Sequence, residues 1–335
     1  MFSAERVLEV LARVPNAVVD GGWGVDALVG EQTREHDDLD VVVALDECDV
    51  IVRSLSALGF ELSLDERPTR VVASDPTGHV DLHLVSPSDF GMVQLLPAGR
   101  QFTYVLDDTV GTIGGEDVRC LSPSMQVLTH CGYEPDANDH ADMAAVAAQS
   151  GESLPPPYAS ADGAFDLRPV ALEDVAAVCA VRRRSWIAAY TGLMPQGVID
   201  AIDLGVSWMN WTTWVRVPPT ADTRFTAAGP PGGVCGFSVI SACRDEGAAD
   251  DVGEVRLLYA DPTAWDRGVG SALLRHAVDT LRSTGFDELR LWTLRDNGRA
   301  RAFYERMGWT PDGAEQVSDH PQGSYVETRY RLVGS

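Results

Sequence analysis

The sequence contains no lysine: all 26 basic residues are arginine. That absence removes a lysine nucleophile or Schiff base from any mechanism. Cysteine is sparse. Cys48, Cys120, Cys131, Cys179, Cys235 and Cys243 are scattered, with no C-x-x-C pair and no histidine at zinc spacing. A disulfide framework and a zinc module are both excluded, and buried reduced thiols are expected. No apolar run approaches the length of a membrane span, and "MFSAERVLEV" has neither the basic start nor the apolar core of a signal peptide. A cytoplasmic protein with no membrane partner is expected. Positive charge is also short: residues 1–150 carry 26 acidic against 8 basic side chains, and the remainder 24 against 18. Such a surface repels nucleic acid and anionic lipid and attracts cationic small molecules.

At 335 residues, the length suits two domains, each large enough for its own core. The clearest break is "AAQSGESLPPPYASADGAF", residues 147–165, where three consecutive prolines can join neither a helix nor a sheet interior. The expected layout is a domain over 1–150, a Pro/Ser/Ala-rich linker over 151–164 and a domain over 165–335. The halves share no similarity, so the chain is a fusion and not a repeat.

In the first half, "SAERVLEVLARV" places Val7, Leu8, Leu11 and Val14 at helical spacing. "AVVDGG" reads as a short strand ending in a glycine turn, with "WGVDALVG" resuming as helix. Strands at "DLDVVVA", "TRVVAS" and "HVDLHLV" and helices at "CDVIVRSLSALGF" and "SPSMQVLTHCGY" follow, the last with Ser122 as N-cap. The class is mixed α/β.

The stretch "TREHDDLDVVV" carries the chemistry. On a strand, residues two apart share a face. Asp38 and Asp40 therefore point one way, while Leu39, Val41 and Val43 point into a core. Two like charges at that spacing call for a divalent cation, and Mg²⁺ suits carboxylate oxygens. "HVDLHLV" repeats the geometry: Asp81 and His83 share a face, so Asp81 supplies a third carboxylate from a neighbouring strand. Upstream, Gly21 and Gly22 open a helix whose N–H groups suit phosphate oxygens. Asp-x-Asp alone is most often a solvated face, and Gly-Gly most often a turn. Their order here, G-G-W, then R-x-H-x-D-x-D, then D-x-H, favours a metal site.

These segments, together with "CLSPSMQVLTHCGYEPDANDHADM", resemble the lincosamide nucleotidyltransferases and the related aminoglycoside 2″-adenylyltransferases, from about residue 5 to 147. The resemblance implies a minimal nucleotidyltransferase fold that moves AMP from ATP to an antibiotic hydroxyl with Mg²⁺. It implies Asp38 and Asp40 as metal ligands, Asp81 as a ligand or the base, and Gly21, Gly22 and Arg34 on the triphosphate. His36, His83, Gln126, His130 and Tyr133 also match family-like positions. Leu84 departs from the family's proline, and residues 85–117, which would shape the acceptor pocket, match poorly.

The second half reads as strand "FDLRPV", helix "EDVAAVCAVRRRSWIAAY" and strands "TRFTAAG", "GVCGFSVISAC" and "GEVRLLYADP". Helix "DRGVGSALLRHAVDTLRSTG", strand "ELRLWTL", helix "RARAFYERMG" and strand "SYVETRYRLV" follow. Gly268 and Gly270 sit where a loop meets a helix N-terminus, a cradle for pyrophosphate. Followed by Asn297 and "AFYERMGW", this half resembles the GNAT acetyltransferases from about residue 165 to 333. The resemblance implies acetyl-CoA as donor. Arg267, Gly268, Val269, Gly270 and Ser271 would hold its pyrophosphate and Asn297 would make a polar contact to it. Tyr304 would be general acid to the departing thiolate, and Glu254 general base. Trp265 departs from the family's Gln or Arg. Trp186, Tyr190, Trp208, Trp211 and Trp214 lie on the acceptor side, most of them expected in the core, with Trp186 and Tyr190 as pocket residues.

The expectation is a bifunctional transferase acting on small, cationic, antibiotic-like molecules. Two other readings stand beside it: a protein-modifying enzyme of toxin–antitoxin type, and a chain with one domain reduced to ligand sensing.

Overall fold

The computed structural model describes residues 1–159 and 164–333, and the chain divides into two compact units. One comprises Met1–Glu152 with Asp203–Val206; the other comprises Ser153–Ile202 with Ser207–Ser335. The proline-rich segment is not a free linker over its described part. Residues 153–156 are buried, Ser153 Oγ donates to Asp174 at 2.6 Å, and Leu154 forms a backbone bridge to Gly233. Apolar Leu154 and the prolines gain more from burial in the second unit than from solvation. Residues 160–163 of the expected linker lie outside the described residues. No helix among the described residues is long and apolar enough to cross a membrane.

The first unit runs α1 (Ala4–Leu11), β1 (Val18–Asp20), α2 (Gly21–Val29), β2 (Asp38–Ala44), α3 (Cys48–Ala57), β3 (Glu61–Glu66), β4 (Arg70–Asp75) and β5 (Gly78–Ser88). It continues with β6 (Gly91–Leu95), β7 (Gln101–Tyr104), β8 (Val110–Ile113), β9 (Glu116–Arg119), α4 (Pro123–Thr129) and α5 (Ala137–Ser150). The sheet order is β1-β2-β5-β4-β3, with β6 on β5 and β7 on β6; β8 and β9 form a separate hairpin. Only β2 and β5 pair in parallel. Alternation along β2 buries Leu39, Val41 and Val43 against Trp23, Ile51 and Leu82, which fixes the opposite face for Asp40. α2 begins at Gly21 itself, so the glycine pair is the first turn of the helix and not a turn before it.

In the second unit come β10 (Asp166–Pro169), α6 (Val175–Tyr190), α7 (Gln196–Asp200), α8 (Leu204–Arg216, of which Ser207 onward belongs to this unit), β11 (Arg224–Gly229), β12 (Gly236–Ala242) and β13 (Val252–Ala260). Then follow α9 (Val269–Ser283), β14 (Glu288–Leu294), α10 (Gly298–Arg306), β15 (Thr310–Ser318) and β16 (Tyr325–Val333). The sheet order is β10-β11-β12-β13-β14-β16-β15. Leu273, Leu274, Ala277 and Leu281 of α9 are buried against it, each large side chain worth about 2 kcal/mol. Two irregularities make the site. β13 and β14 pair only from Val252–Glu254 against Glu288–Arg290 and then part. Against β12, partners step from Val239↔Leu257 to Ile240↔Val255, so Arg256 is the extra residue of a bulge.

Candidate active sites

Three strands bring three carboxylates into one row. Asp20 of β1 lies opposite Asp40 of β2, and Asp40 opposite Asp81 of β5. Residues directly opposite project to the same side, with Cβ atoms about 5 Å apart. His83, two along from Asp81, enters the row: its Nδ1 is 3.4 Å from Asp20 Oδ2 and its Nε2 3.7 Å from Asp40 Oδ1. Burial opposes a charge on His83, but hydrogen bonding to Asp20 and the fields of Asp40, Asp20 and Asp81 overcome it and push the imidazole up to about 9. Burial pushes Asp40 up to about 7; the repulsion of Asp38, Asp20 and Asp81 adds to this, and His83 opposes it. Asp20 resists its own burial through His83 and the Gly21 N–H, which hold it below the usual carboxylate range.

Of the expected trio of Asp38, Asp40 and Asp81, the fold brings Asp40 and Asp81 together and leaves Asp38 at the mouth of the strand. Among the described residues, the group with ligand atoms within 4.8 Å of one another is Asp40, Asp81 and His83. Asp38 stands exposed at the mouth of β2, where it still raises the pKa of Asp40. The reason is metric: side chains two apart on one strand are separated by about 6.7 Å, farther than opposite residues on paired strands. Asp20 was not singled out in the sequence; its only local signal is an N-cap aspartate before Gly-Gly.

α2 supplies the rest of this face. Asp20 accepts the Gly21 N–H at 2.7 Å, and Gly21 has φ +59°. A Cβ there would collide with the Asp40 carboxylate. Gly21→Ala therefore combines a left-handed penalty of about 1 kcal/mol with displacement of Asp40. Its expected outcome is a lower melting temperature, read by thermal unfolding. At Gly22, any side chain would strike His36 and Arg34. Arg34 does not stand open toward a phosphate: its Nε and Nη2 grip Asp142 at 3.1 and 2.7 Å, and its Nη1 donates to the Glu35 carbonyl. Burial makes Asp142 require that partner. His36 is likewise engaged, with Nε2 2.5 Å from Asp26, and buried Gln126 packs where a side chain at Gly24 would fall. His130 Nδ1 lies 2.7 Å from the Gln126 carbonyl, and the Tyr133 hydroxyl donates to Asp139.

The donors fit a hard divalent cation. Asp81 Oδ2 accepts from Arg70 at 3.0 Å, while its Oδ1 is buried with no partner, an orphan acceptor. Carboxylate oxygens of Asp40 and Asp81 match Mg²⁺, whereas imidazole nitrogen does not. His83 is better suited to balance the charge of the row than to ligate.

In the second unit, the parting of β13 and β14 opens a cavity of about 580 Å³. Leu257 to Ala260, Gly268, Gly270, Ser271, Asn297 and Tyr304 line it. Gly268, with φ +88°, precedes α9 without a side-chain cap, so the first N–H groups of that helix remain for an anion. The Val269 side chain is buried in the core, and Arg267 is exposed and outside the residues that line the cavity. Asn297 uses its Oδ1 to cap Ala300 N–H at 3.1 Å, leaving its Nδ2 donors for a ligand. Trp265 donates to the Ala260 carbonyl and stacks under Arg299 at 4.1 Å. Tyr304 is buried, which raises its pKa and keeps its proton on at neutral pH. Glu254 is buried, lines neither described cavity, and takes Arg244 as partner through two contacts of 3.2 Å. It sits on the paired part of β13, before the strands diverge.

Residues 4–146 match the family described as Aminoglycoside-2″-adenylyltransferase, and residues 206–309 match the Acetyltransferase (GNAT) family. The chain is 30% identical over 129 residues to a lincosamide resistance protein of Staphylococcus haemolyticus, covering 37% of this chain and 80% of that protein. In its first unit the chain belongs to the aminoglycoside-2″-adenylyltransferase family, and its second half carries a match to the GNAT acetyltransferases. That GNAT domain is 48% identical over 59 residues to a mycothiol acetyltransferase of Beutenbergia cavernae, covering 18% of this chain and a fifth (20%) of that relative's length. A solved, lincomycin-bound lincosamide antibiotic adenylyltransferase is similar at 26% identity and a TM-score of 0.38, covering 43% of this chain and 94% of that one. Both units are thus of transferase families, a nucleotidyltransferase followed by a GNAT acetyltransferase.

Proposed function

We propose that the first unit transfers AMP from ATP to a hydroxyl of a lincosamide- or aminoglycoside-like molecule, and that the second transfers acetyl from acetyl-CoA to an amine. The observation that carries the first half is the cross-strand pair Asp40–Asp81 beside the glycine start of α2. Asp40 and Asp81 would hold Mg²⁺, which when bound neutralises phosphate charge and favours departure of pyrophosphate. The acceptor oxygen bonds to the α-phosphorus, the bond to pyrophosphate breaks, and the hydroxyl proton passes to a carboxylate of the row. Asp38, at the mouth of β2, would be a further ligand, and His83 would keep Asp20 and Asp40 from repelling each other apart.

In the second unit the amine nitrogen attacks the thioester carbonyl, the C–S bond breaks, and Tyr304 gives its proton to the thiolate. The amine's proton passes by way of water to Glu254, the carboxylate paired with Arg244, or to solvent. The N-terminal N–H groups of α9 at Gly268 to Ser271 would take the CoA pyrophosphate.

The test is to incubate the full chain with lincosamides and aminoglycosides, first with Mg-ATP and then with acetyl-CoA, and to read masses. Adenylyl addition in the first set is the expected result. No modified compound in either set would end the proposal.

A further inference from the structure

A second cavity, of about 340 Å³, adjoins the first across β13: Arg256, Leu257 and Tyr259 line both. Its size is at the lower end of the range for small-ligand sites. Tryptophans 186, 211 and 214 supply apolar walls, and Trp186 is held by a hydrogen bond to the Tyr259 hydroxyl at 2.9 Å. Its charged lining is all of one sign: Arg182, Arg244 and Arg256, with no carboxylate among the lining residues. Arg244 is spoken for by Glu254. Arg182 lies over the Trp186 ring at 5.0 Å, and Arg256 has a buried Nε with no partner.

The bulge explains how Arg256 comes to be there. As the extra residue of β13 it has no place in the ladder, and its side chain is delivered to the junction of the two cavities. Glu254 and Asp222 attract the partly buried Arg256 guanidinium, but burial first and then the nearby Arg244 charge outweigh them and lower its pKa, so the charge is costly to hold there. Such a group is kept where a ligand supplies the missing oxyanion.

We infer that the amine acetylated by the second unit belongs to a molecule that also carries an oxyanion, a carboxylate or a phosphoryl group, held by Arg256 and Arg182 in this cavity. The inference rests on the acetyltransferase reading above and deepens it. It also separates the two units by substrate: the first presents an acidic face, the second a basic acceptor cavity. The reaction balance is unchanged, since the oxyanion binds and does not react.

The experiment uses the full chain, acetyl-CoA and two matched pairs of amines, with free thiol as the readout. L-phenylalanine is compared with phenethylamine, and O-phosphoethanolamine with ethanolamine. Within at least one pair, the acid is expected to be at least tenfold better in kcat/KM, and which pair responds distinguishes carboxylate from phosphoryl. In Arg256→Gln, and independently in Arg182→Gln, the acid-to-neutral ratio is expected to fall toward one. The inference is overturned if the neutral amine equals or exceeds the acid in both pairs, including through absence of turnover, or if both variants keep the wild-type ratio. Calorimetry of CoA binding to the wild-type chain separates the two levels: no binding sinks the acetyltransferase reading itself, while binding without acid preference sinks only this inference.

Discussion

Asp40→Asn is expected to slow nucleotidyl transfer at least a thousandfold while making the metal-free protein more stable at pH 8. The two effects have one origin. Asp40 is placed among Asp20, Asp38 and Asp81, and burial with that crowding raises its pKa from 3.8 to about 7. A carboxyl whose folded pKa is raised favours folding with its proton on. Its cost to stability therefore grows as pH rises from about 4 to about 7 and stays in full above that. Asparagine cannot ionise, so the variant escapes the cost. Three units would correspond to about 4 kcal/mol; partial exposure and the lost attraction of His83 reduce the expected gain to about 2 kcal/mol. Scanning calorimetry in EDTA should show the variant melting higher than the parent at pH 8, with the difference shrinking toward pH 5. Mg²⁺ should raise the melting temperature of the parent and leave the variant nearly unmoved. A variant less stable than the parent at pH 8 would contradict the crowded-carboxylate description.

Tyr304→Phe is expected to lower kcat for acetyl transfer about a hundredfold, the usual worth of a positioned acid, with CoA affinity changed little. Phenylalanine keeps the packing, in which the Tyr304 ring lies 5.2 Å from Phe303 and 6.0 Å from Tyr330. Only the proton is removed. Burial holds that proton on Tyr304 at neutral pH, so the parent presents the hydroxyl as a donor toward the thiolate sulfur. Steady-state kinetics beside calorimetry of CoA separates the two roles: loss of affinity with kcat intact would make Tyr304 a packing residue. Nucleotidyl transfer by the same variant should be unchanged.

Period-two alternation made the acidic strand legible. Leu39, Val41 and Val43 are buried and Asp40 faces away, as the spacing requires. The stripe of α9 and the glycine start before it were legible for the same local reason. Long-range register was not. Asp20 joins the row only because β1 pairs with β2 at Asp20↔Asp40, and nothing in "VVDGG" carries that information. Likewise Asp38 and Asp40 look equivalent along the strand, but only Asp40 has Asp81 directly opposite. Glu254 resembled a base by position; its partner Arg244 lies beyond β12, and the pairing depends on how that hairpin closes. Strands such as β15 were missed because "TPDGAEQVS" is polar and largely exposed, with no alternation to read. α5 had a signal in its Asp136–Asp139 capping box that apolar periodicity did not reinforce.

The most direct test of the central claim follows the α-phosphate. The full chain is incubated with Mg²⁺, ATP labelled at the α-phosphorus, a panel of lincosamides and aminoglycosides, and a cell lysate, in parallel with Asp40→Asn. The account predicts label on a small molecule, dependent on Mg²⁺ and absent with the variant. Label on a protein band, or equal labelling by Asp40→Asn, would contradict it.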